Sequence, residues 1–313
     1  MISILIAAYN AAAYIREAVD SALAQADVPV EVIVADDGST DETAAILREY
    51  GPRITCIEAP HRNASAARNT AWQVSRGEFI AILDADDRLC PRAFDAKLDV
   101  LRREPAVGVA YGDALGIDER GNPVGPILCR ERLTSADDPL TPLMSGNFFP
   151  VHAALTRRSA IERLPYLYHE EIELVGDWDL WLRLAGVTRF AYAGDMSVEY
   201  RRHAAMSTKT VLSEKSLRQT LNTLQRAFEV PGADALPVRV RDATLLRMIF
   251  IALRLRSTDN VAGVRRLMAR TGGASPPIKA LAALARAPGA AACAGSLINA
   301  ALRTRRRLAS RSA

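Results

Sequence analysis

Cysteine is scarce in this chain. Only Cys56, Cys90, Cys129 and Cys293 occur, widely spaced and without a CxxC pair. That excludes a disulfide framework and a thiolate zinc site, and it fits a reducing compartment. Aromatic residues reach only 6%. Of the four histidines, His61, His152 and His169 show no metal-ligand spacing and read as structural. No run of about 18 apolar residues occurs, so no membrane-spanning helix is expected. The nearest stretch, 280–302, is mostly Ala and Gly and is broken by Arg286 and Pro288. Residues 1–8 are apolar but lack a cationic leader, and Tyr9-Asn10 ends the run early. They read as a first strand rather than a signal peptide.

What is present is an ordinary globular composition, 49% hydrophobic and 24% charged. The length suits one α/β domain of about 200 to 250 residues with an appendage. Charge is unevenly placed. Residues 241–313 carry 14 Lys/Arg and 2 Asp/Glu, whereas 1–240 carry 26 and 34, so a tail of net +12 follows a body of net −8. Such a split predicts an acidic catalytic body and a basic tail suited to an anionic surface. The apolar run Met248-Ile249-Phe250-Ile251-Ala252-Leu253 adds to the membrane reading. A solvated helical face accounts for the same charges.

Strands and helices alternate over the first 112 residues. Short apolar or β-branched runs at 2–6, 30–34, 54–57, 79–83 and 107–111 read as strands. Between them lie helical stripes, such as Ile15, Val19, Ala22 and Leu23, or Phe94, Leu98 and Leu101 after Pro91. Ser39 and Glu42 have capping-box spacing, which predicts a helix start. Residues 63–75 read as a further helix. The pattern predicts a mainly parallel sheet covered on both faces, an α/β fold in which ligands bind beyond the carboxyl ends of strands. From 113 to 200 the pattern is mixed, with strands at 151–156 and 189–193 and a helix at 177–185. Beyond about 212 it is helical, with breaks near 231–237 and 272–277.

The carboxylates sit at strand ends. Asp84-Ala85-Asp86-Asp87 packs three of them into four residues after an apolar strand. Such crowding is electrostatically costly unless a cation neutralises it. Mg2+ or Mn2+, held by one or two carboxylates plus phosphate oxygens, is the natural choice. A solvated acidic cap before Pro91 is the plainer account of that segment alone. Asp36-Asp37-Gly38-Ser39 ends the second strand. A carboxylate there can accept from a nucleobase imide or a ribose hydroxyl, although an ordinary strand–turn–helix junction looks the same. Asp177, Trp181 and Leu184 share one helical face that should point inward and place Asp177 beside a pocket. Asp179 falls off that face and reads as solvated. A plain N-cap is the alternative for Asp177.

The order of the blocks is more specific than any one of them. Ala7-Ala8-Tyr9-Asn10, then Asp36 to Asp41, Ala67-Arg68-Asn69, and Gly77 to Asp87 resemble the family 2 inverting glycosyltransferases of bacterial polysaccharide type. Gly176-Asp177-Trp178-Asp179-Leu180-Trp181 resembles their catalytic-base segment. Tyr200-Arg201-Arg202-His203, followed by Ser207, is similar to their closing loop. The resemblance covers roughly 1–210. It implies a GT-A domain over 1–210, with a nucleotide-sugar half at 1–112 and an acceptor half at 113–210, followed by a helical, basic region at 211–313.

The resemblance also implies roles. Ala8, Tyr9 and Asn10 surround the base, and Asp37 hydrogen-bonds it. Arg68 stands near the nucleotide. Asp84 holds the ribose or sugar side. Asp86 ligates the metal, with His203 a further metal contact; the pattern does not choose between Asp86 and Asp87 as the nearer ligand. Arg201 and His203 close over the diphosphate. Asp177 is the general base for an acceptor hydroxyl, and inversion follows from attack opposite the leaving group. Two positions depart from the family, which often has Pro at position 7 and Glu at position 176.

The implied function is transfer from a nucleotide sugar, UDP-linked by default, to a saccharide or lipid-linked acceptor. The implied setting is the cytoplasm, peripheral at the inner face of the plasma membrane. A sugar-phosphate nucleotidyltransferase would want a glycine-rich basic loop where Ala7-Ala8-Tyr9-Asn10-Ala11-Ala12-Ala13 stands. A degenerate, non-catalytic scaffold would not keep Asp86, Asp177 and His203. Nucleic acid is not expected as a partner, because Arg303-Thr304-Arg305-Arg306-Arg307 has no interleaved aromatics.

Overall fold

Strand–helix alternation builds the first half as the hydrophobic pattern predicts. In a computed structural model, β1 (Ile2–Ala8), α1 (Ile15–Leu23), β2 (Val30–Asp36), α2 (Thr43–Arg48), β3 (Thr55–Glu58), α3 (Ala64–Val74) and β4 (Phe79–Asp84) follow one another. The structure describes residues 1–25, 27–203, 213–255, 258–270, 275, 278–279 and 282. Ser207, Gly272, Pro277, Cys293 and the arginines at 303–307 lie outside them. β1 pairs in parallel with β2 and β4, and β2 with β3. Helices cover both faces, so consecutive residues Ile4, Leu5 and Ile6 are all fully buried. The predicted stripe of α1 packs Ile15, Val19 and Ala22 into that core.

The Ser39–Glu42 capping box does not form. Ser39 Oγ instead donates to Asp36 Oδ1 at 2.5 Å, and α2 begins at Thr43 without a side-chain cap. The nearer carboxylate has taken the hydroxyl into a local turn, the competition that makes Ser ambiguous at helix starts. α3 is capped: Asn63 accepts from the Ala66 amide at 3.0 Å.

The second half contains β5 (Arg88–Leu89), α4 (Asp95–Arg103), β6 (Val107–Ile117), β7 (Pro123–Ile127), α5 (Leu140–Ser145), β8 (Ala154–Arg157), α6 (Arg158–Ile161), α7 (Gly176–Ala185) and β9 (Arg189–Arg201). All strands join one sheet in the order β3-β2-β1-β4-β8-β6-β9-β5, with β7 on β6. Beyond β4 the sheet is mixed. β8 runs antiparallel to both β4 and β6, while β9 runs parallel to β6. β9 is far longer than the apolar run at 189–193 predicts. Gly194 and Asp195 interrupt the hydrophobic signal, yet the strand continues because buried Lys97 on α4 donates to Asp195 at 2.6 Å and to Ser197 Oγ at 2.6 Å.

The chain divides into two compact units, Met1–Lys209 and Thr210–Ala313. The second contains α8 (Glu214–Ala227), α9 (Val238–Arg254) and α10 (Thr258–Arg270). Pro231, Gly232 and Pro237 separate α8 from α9, at the predicted break. In α9, Met248, Ile249, Ile251, Ala252 and Leu253 are buried. The run expected to face lipid is therefore core, which leaves only charge to support the membrane reading. No helix of the described residues is long and apolar enough to cross a membrane.

Candidate active site

Parallel pairing sets the ends of β1, β2 and β4 side by side: Ala8 stands opposite Asp36, and Ala7 opposite Asp84. A cavity of about 780 Å3 opens beyond those ends, as expected for such a sheet. Ala8, Tyr9, Asn10, Asp37, Arg68, Asp84, Asp86, Asp87, Arg201 and His203 all line it.

Its outer wall is tied by backbone bonds. Asn10 adopts φ 48, a left-handed conformation that asparagine tolerates. Its Oδ1 accepts from the Thr40 amide at 2.8 Å, while its own amide donates to Ser39 Oγ at 2.9 Å. Asp37 is buried. Its amide donates to Ala8 O, and its carboxylate accepts from the Arg62 amide at 2.8 Å and faces His61 Nδ1 at 2.9 Å. Gly38 has φ 73, and a Cβ there would lie 2.9 Å from the His61 amide nitrogen, so only glycine fits the turn. Tyr9 stacks on His61 with centroids 4.0 Å apart and remains 46% exposed, leaving a flat aromatic surface beside Asp37. His61 thus belongs to this wall, although its spacing in the sequence gave no sign of it.

Asp84 ends β4 with Oδ1 2.6 Å from Arg68 Nη2, and Nη1 of the same guanidinium lies 3.3 Å from Asp177 Oδ1. The Tyr168 ring underlies that guanidinium at 4.9 Å, and the Tyr168 hydroxyl donates to Asp177 Oδ1 at 2.8 Å. Burial opposes charge on both acids. For Asp84, Arg68 and His152 outweigh burial and hold the carboxyl below its ordinary value. For Asp177, burial prevails over Arg68, with Asp84 adding to it, and the carboxyl is raised.

Asp86 and Asp87 point in different directions. Asp86 is partly open to the cavity and meets His203 Nε2 at 2.8 Å. Asp87 is buried, accepts from the Arg201 amide at 2.6 Å and lies 3.3 Å from His152 Nδ1. Burial, reinforced by Asp84 and Asp86, raises the Asp87 carboxyl. His152, read from the sequence as structural, sits on the turn Val151–Ala153 and brings its ring to both Asp84 and Asp87. Ligand atoms of these three lie within 4.8 Å of one another.

Two sets of residues could therefore hold a cation. The buried trio has orphaned imidazole nitrogens in its favour. Against it, Asp84 is already balanced by Arg68, and burial and its neighbours push Asp87 toward its neutral form. Asp86 with His203 opens into the cavity, where phosphate oxygens and water complete a hard cation's shell. The carboxylate suits Mg2+ and Mn2+ alike, and the imidazole favours Mn2+, the less hard of the two.

Arg201 corrects the expectation from sequence. Its guanidinium is wholly buried, with Nε donating to Asp86 O at 2.8 Å, Nη1 to Glu119 O at 3.1 Å and Nη2 to Glu17 at 2.7 Å. With a further bond from Nη1 to Asp118 O, four of its five N–H groups are engaged by the protein, and the side chain buttresses the acidic segment at the cavity wall.

A second cavity of about 570 Å3 shares Ala64, Arg68, Asp84 and Tyr200 with the first and contains Asp177. Asp177 is the second residue of α7, one turn before buried Trp181. The N-cap is Val175, so the capping account of Asp177 fails. Asp179, expected in solvent, is buried and pairs with Arg183 at 2.8 Å, because the hidden surface of α7 is wider than one stripe. Gly176 has a packing reason: a Cβ would lie 3.1 Å from Tyr168 Cδ1 and 3.3 Å from Ser65 Oγ, leaving little room for the family's Glu.

Comparison with known proteins agrees with this geometry. The family model described as Glycosyl transferase family 2 matches residues 3–164. Chondroitin synthase of Escherichia coli is 35% identical over 200 residues, which cover 61% of this chain and 27% of that protein. The chain thus spans about a quarter of that relative's length. An uncharacterised glycosyltransferase of Rickettsia prowazekii (strain Madrid E) is 30% identical over 219 residues, 68% of each. Among solved structures, S. aureus TarS 1-349 in complex with UDP-GlcNAc superposes with a TM-score of 0.61 at 16% identity, covering 91% of this chain and 87% of that one. The mannosyltransferase PcManGT from Pyrobaculum calidifontis, in complex with GDP-Man and Mn2+, gives 0.53 at 20% identity, covering 96% and 86%. These likenesses show the GT-A fold. The family match spans more than half of the 313 residues, and on that ground the chain belongs to glycosyl transferase family 2.

Proposed function

We propose that this glycosyltransferase is metal-dependent and inverting. In this reading it moves a sugar from a nucleoside-diphosphate sugar, UDP-linked by default, to a hydroxyl of a saccharide or lipid-linked acceptor in cell-surface polysaccharide synthesis. The observation that carries the reading is the Arg68 bridge, which joins Asp84 on the donor cavity to Asp177 on the second cavity through one guanidinium. A donor-side carboxylate and a candidate base thus meet at the wall the cavities share. The UDP default draws on the TarS complex with UDP-GlcNAc, and the saccharide acceptor on the chondroitin synthase relative. In this reading residues 1–112 are the nucleotide-sugar half, 113–210 the acceptor half and 211–313 a basic region, helical in its described part from 214 to 270. The net +12 beyond residue 240 supports a place at the inner face of the plasma membrane.

Each group has a task in this reading. The exposed face of Tyr9 packs on the base, Asp37 accepts from it, and Ala8 and Asn10 shape the turn around it. Asp84 holds the ribose or sugar side, steadied by Arg68. Asp86 and His203 would hold Mg2+ or Mn2+, which supplies charge neutralisation for the leaving diphosphate. Asp177 Oδ1 is occupied by Tyr168 and Arg68, which leaves Oδ2 to take the acceptor proton. The raised carboxyl of Asp177 is a stronger base than an ordinary aspartate. Attack opposite the leaving group inverts the anomeric carbon without a covalent intermediate.

The test is a panel of UDP-, GDP- and dTDP-sugars scored by nucleoside diphosphate release with and without Mn2+. Release that requires the ion is expected, and a chain that releases nothing from any donor is a scaffold. Within the same assay Tyr168→Phe should lower kcat about tenfold, the worth of one hydrogen bond to a charged group, while the donor KM changes little. An unchanged kcat would mean that Arg68 alone orients Asp177.

A further inference from the structure

The end of β9 alternates between the two cavities. Tyr200 borders both; Arg201 and His203 line the first, whereas Arg202 lines the second. Arg202 is exposed, and its guanidinium has no hydrogen-bond or ionic partner among the described residues. Arg130 lines the same cavity and is also exposed. Its side chain makes a single hydrogen bond, to the carbonyl of Asn147, and no ion pair among the described residues. Two uncompensated arginines therefore line the cavity that contains the candidate base. Two of the cavity's carboxylates are engaged elsewhere, since Asp84 and Asp177 converge on Arg68. In a body of net −8, residues 1–240, unpaired cations gathered at one concavity call for an anionic ligand.

We infer that the acceptor carries a negative charge, a carboxylate or a phosphate, close to the hydroxyl that is glycosylated, and that Arg202 and Arg130 bind it. The inference rests on the transferase reading above. A guanidinium is the side chain whose planar fork matches either anion with two parallel hydrogen bonds. Phe148 and Phe149 line the same cavity, and apolar walls strengthen such contacts by excluding water.

The experiment compares acceptors of equal length: oligosaccharides ending in glucuronate, glycerol-phosphate oligomers and neutral oligosaccharides. Each is assayed with the panel of UDP-, GDP- and dTDP-sugars by nucleoside diphosphate release above the acceptor-free rate. We expect kcat/KM for one anionic class to exceed the neutral value at least tenfold, and which class it is separates carboxylate from phosphate. Arg202→Gln and Arg130→Gln should each cut that anionic-to-neutral ratio about tenfold, in line with loss of a charge-assisted pair. A ratio within one preparation cancels any loss of folded protein. Neutral acceptors used as well as anionic ones, or ratios unmoved in both variants, overturn the inference while leaving the transferase reading intact. No nucleoside diphosphate release with any donor and acceptor overturns both.

Discussion

Asp177→Asn should fold normally, bind UDP with near wild-type affinity and lose about 10²–10⁴-fold in turnover, the usual contribution of a positioned base. The geometry makes this substitution unusually clean. The Asn carbonyl can still accept from the Tyr168 hydroxyl and from Arg68, the two donors that reach Asp177 Oδ1. The position is not the N-cap, so helix capping is not at stake. What changes is the second oxygen, replaced by an amide that cannot take a proton at neutral pH. Stopped assays of UDP release, paired with calorimetric UDP titration, separate the two quantities. Wild-type turnover in the variant would remove Asp177 from the reaction, and Asp179, buried against Arg183, offers no replacement.

Asp86→Ala should abolish the gain in UDP affinity that Mn2+ provides. Losing even an outer partner of a metal ligand typically costs about 10–100-fold, so loss of a direct ligand should cost at least about a hundredfold. Calorimetric titration of UDP with and without Mn2+ reads it directly. Full Mn2+ enhancement in Asp86→Ala, lost instead in His152→Ala, would transfer the ion to the buried trio of Asp84, Asp87 and His152. Unchanged UDP affinity in wild type with and without Mn2+ would remove metal dependence altogether.

The sequence made the strand ends legible because short buried strands and crowded carboxylates leave local signatures. Ile2 to Ala8, Val30 to Asp36 and Phe79 to Asp84 are each a compact apolar run closed by polar residues. The far half was less legible, since its strands persist through polar residues whose partners are distant in the chain. Asp195 looks like the end of a strand until Lys97 is seen beneath it. His152 and His61 were missed for the same reason: each meets its carboxylates across the fold, and no spacing records that. Arg201 differs in the opposite sense. It lies in a motif that suggests ligand contact, but four acceptors from three separate segments engage four of its five N–H groups.

β5, only Arg88 and Leu89, follows directly on the acidic segment and pairs with Glu199 and Val198 of β9. The segment from Asp84 to Asp87 is thereby held by sheet bonding at both ends, by β4 before it and β9 after it. β9 also sets where Arg202 and His203 emerge. Chain length between 84 and 89 is therefore a hard constraint in this protein. One residue added there would shift β5 along β9, reverse which side chains face the core and carry Asp86 away from His203.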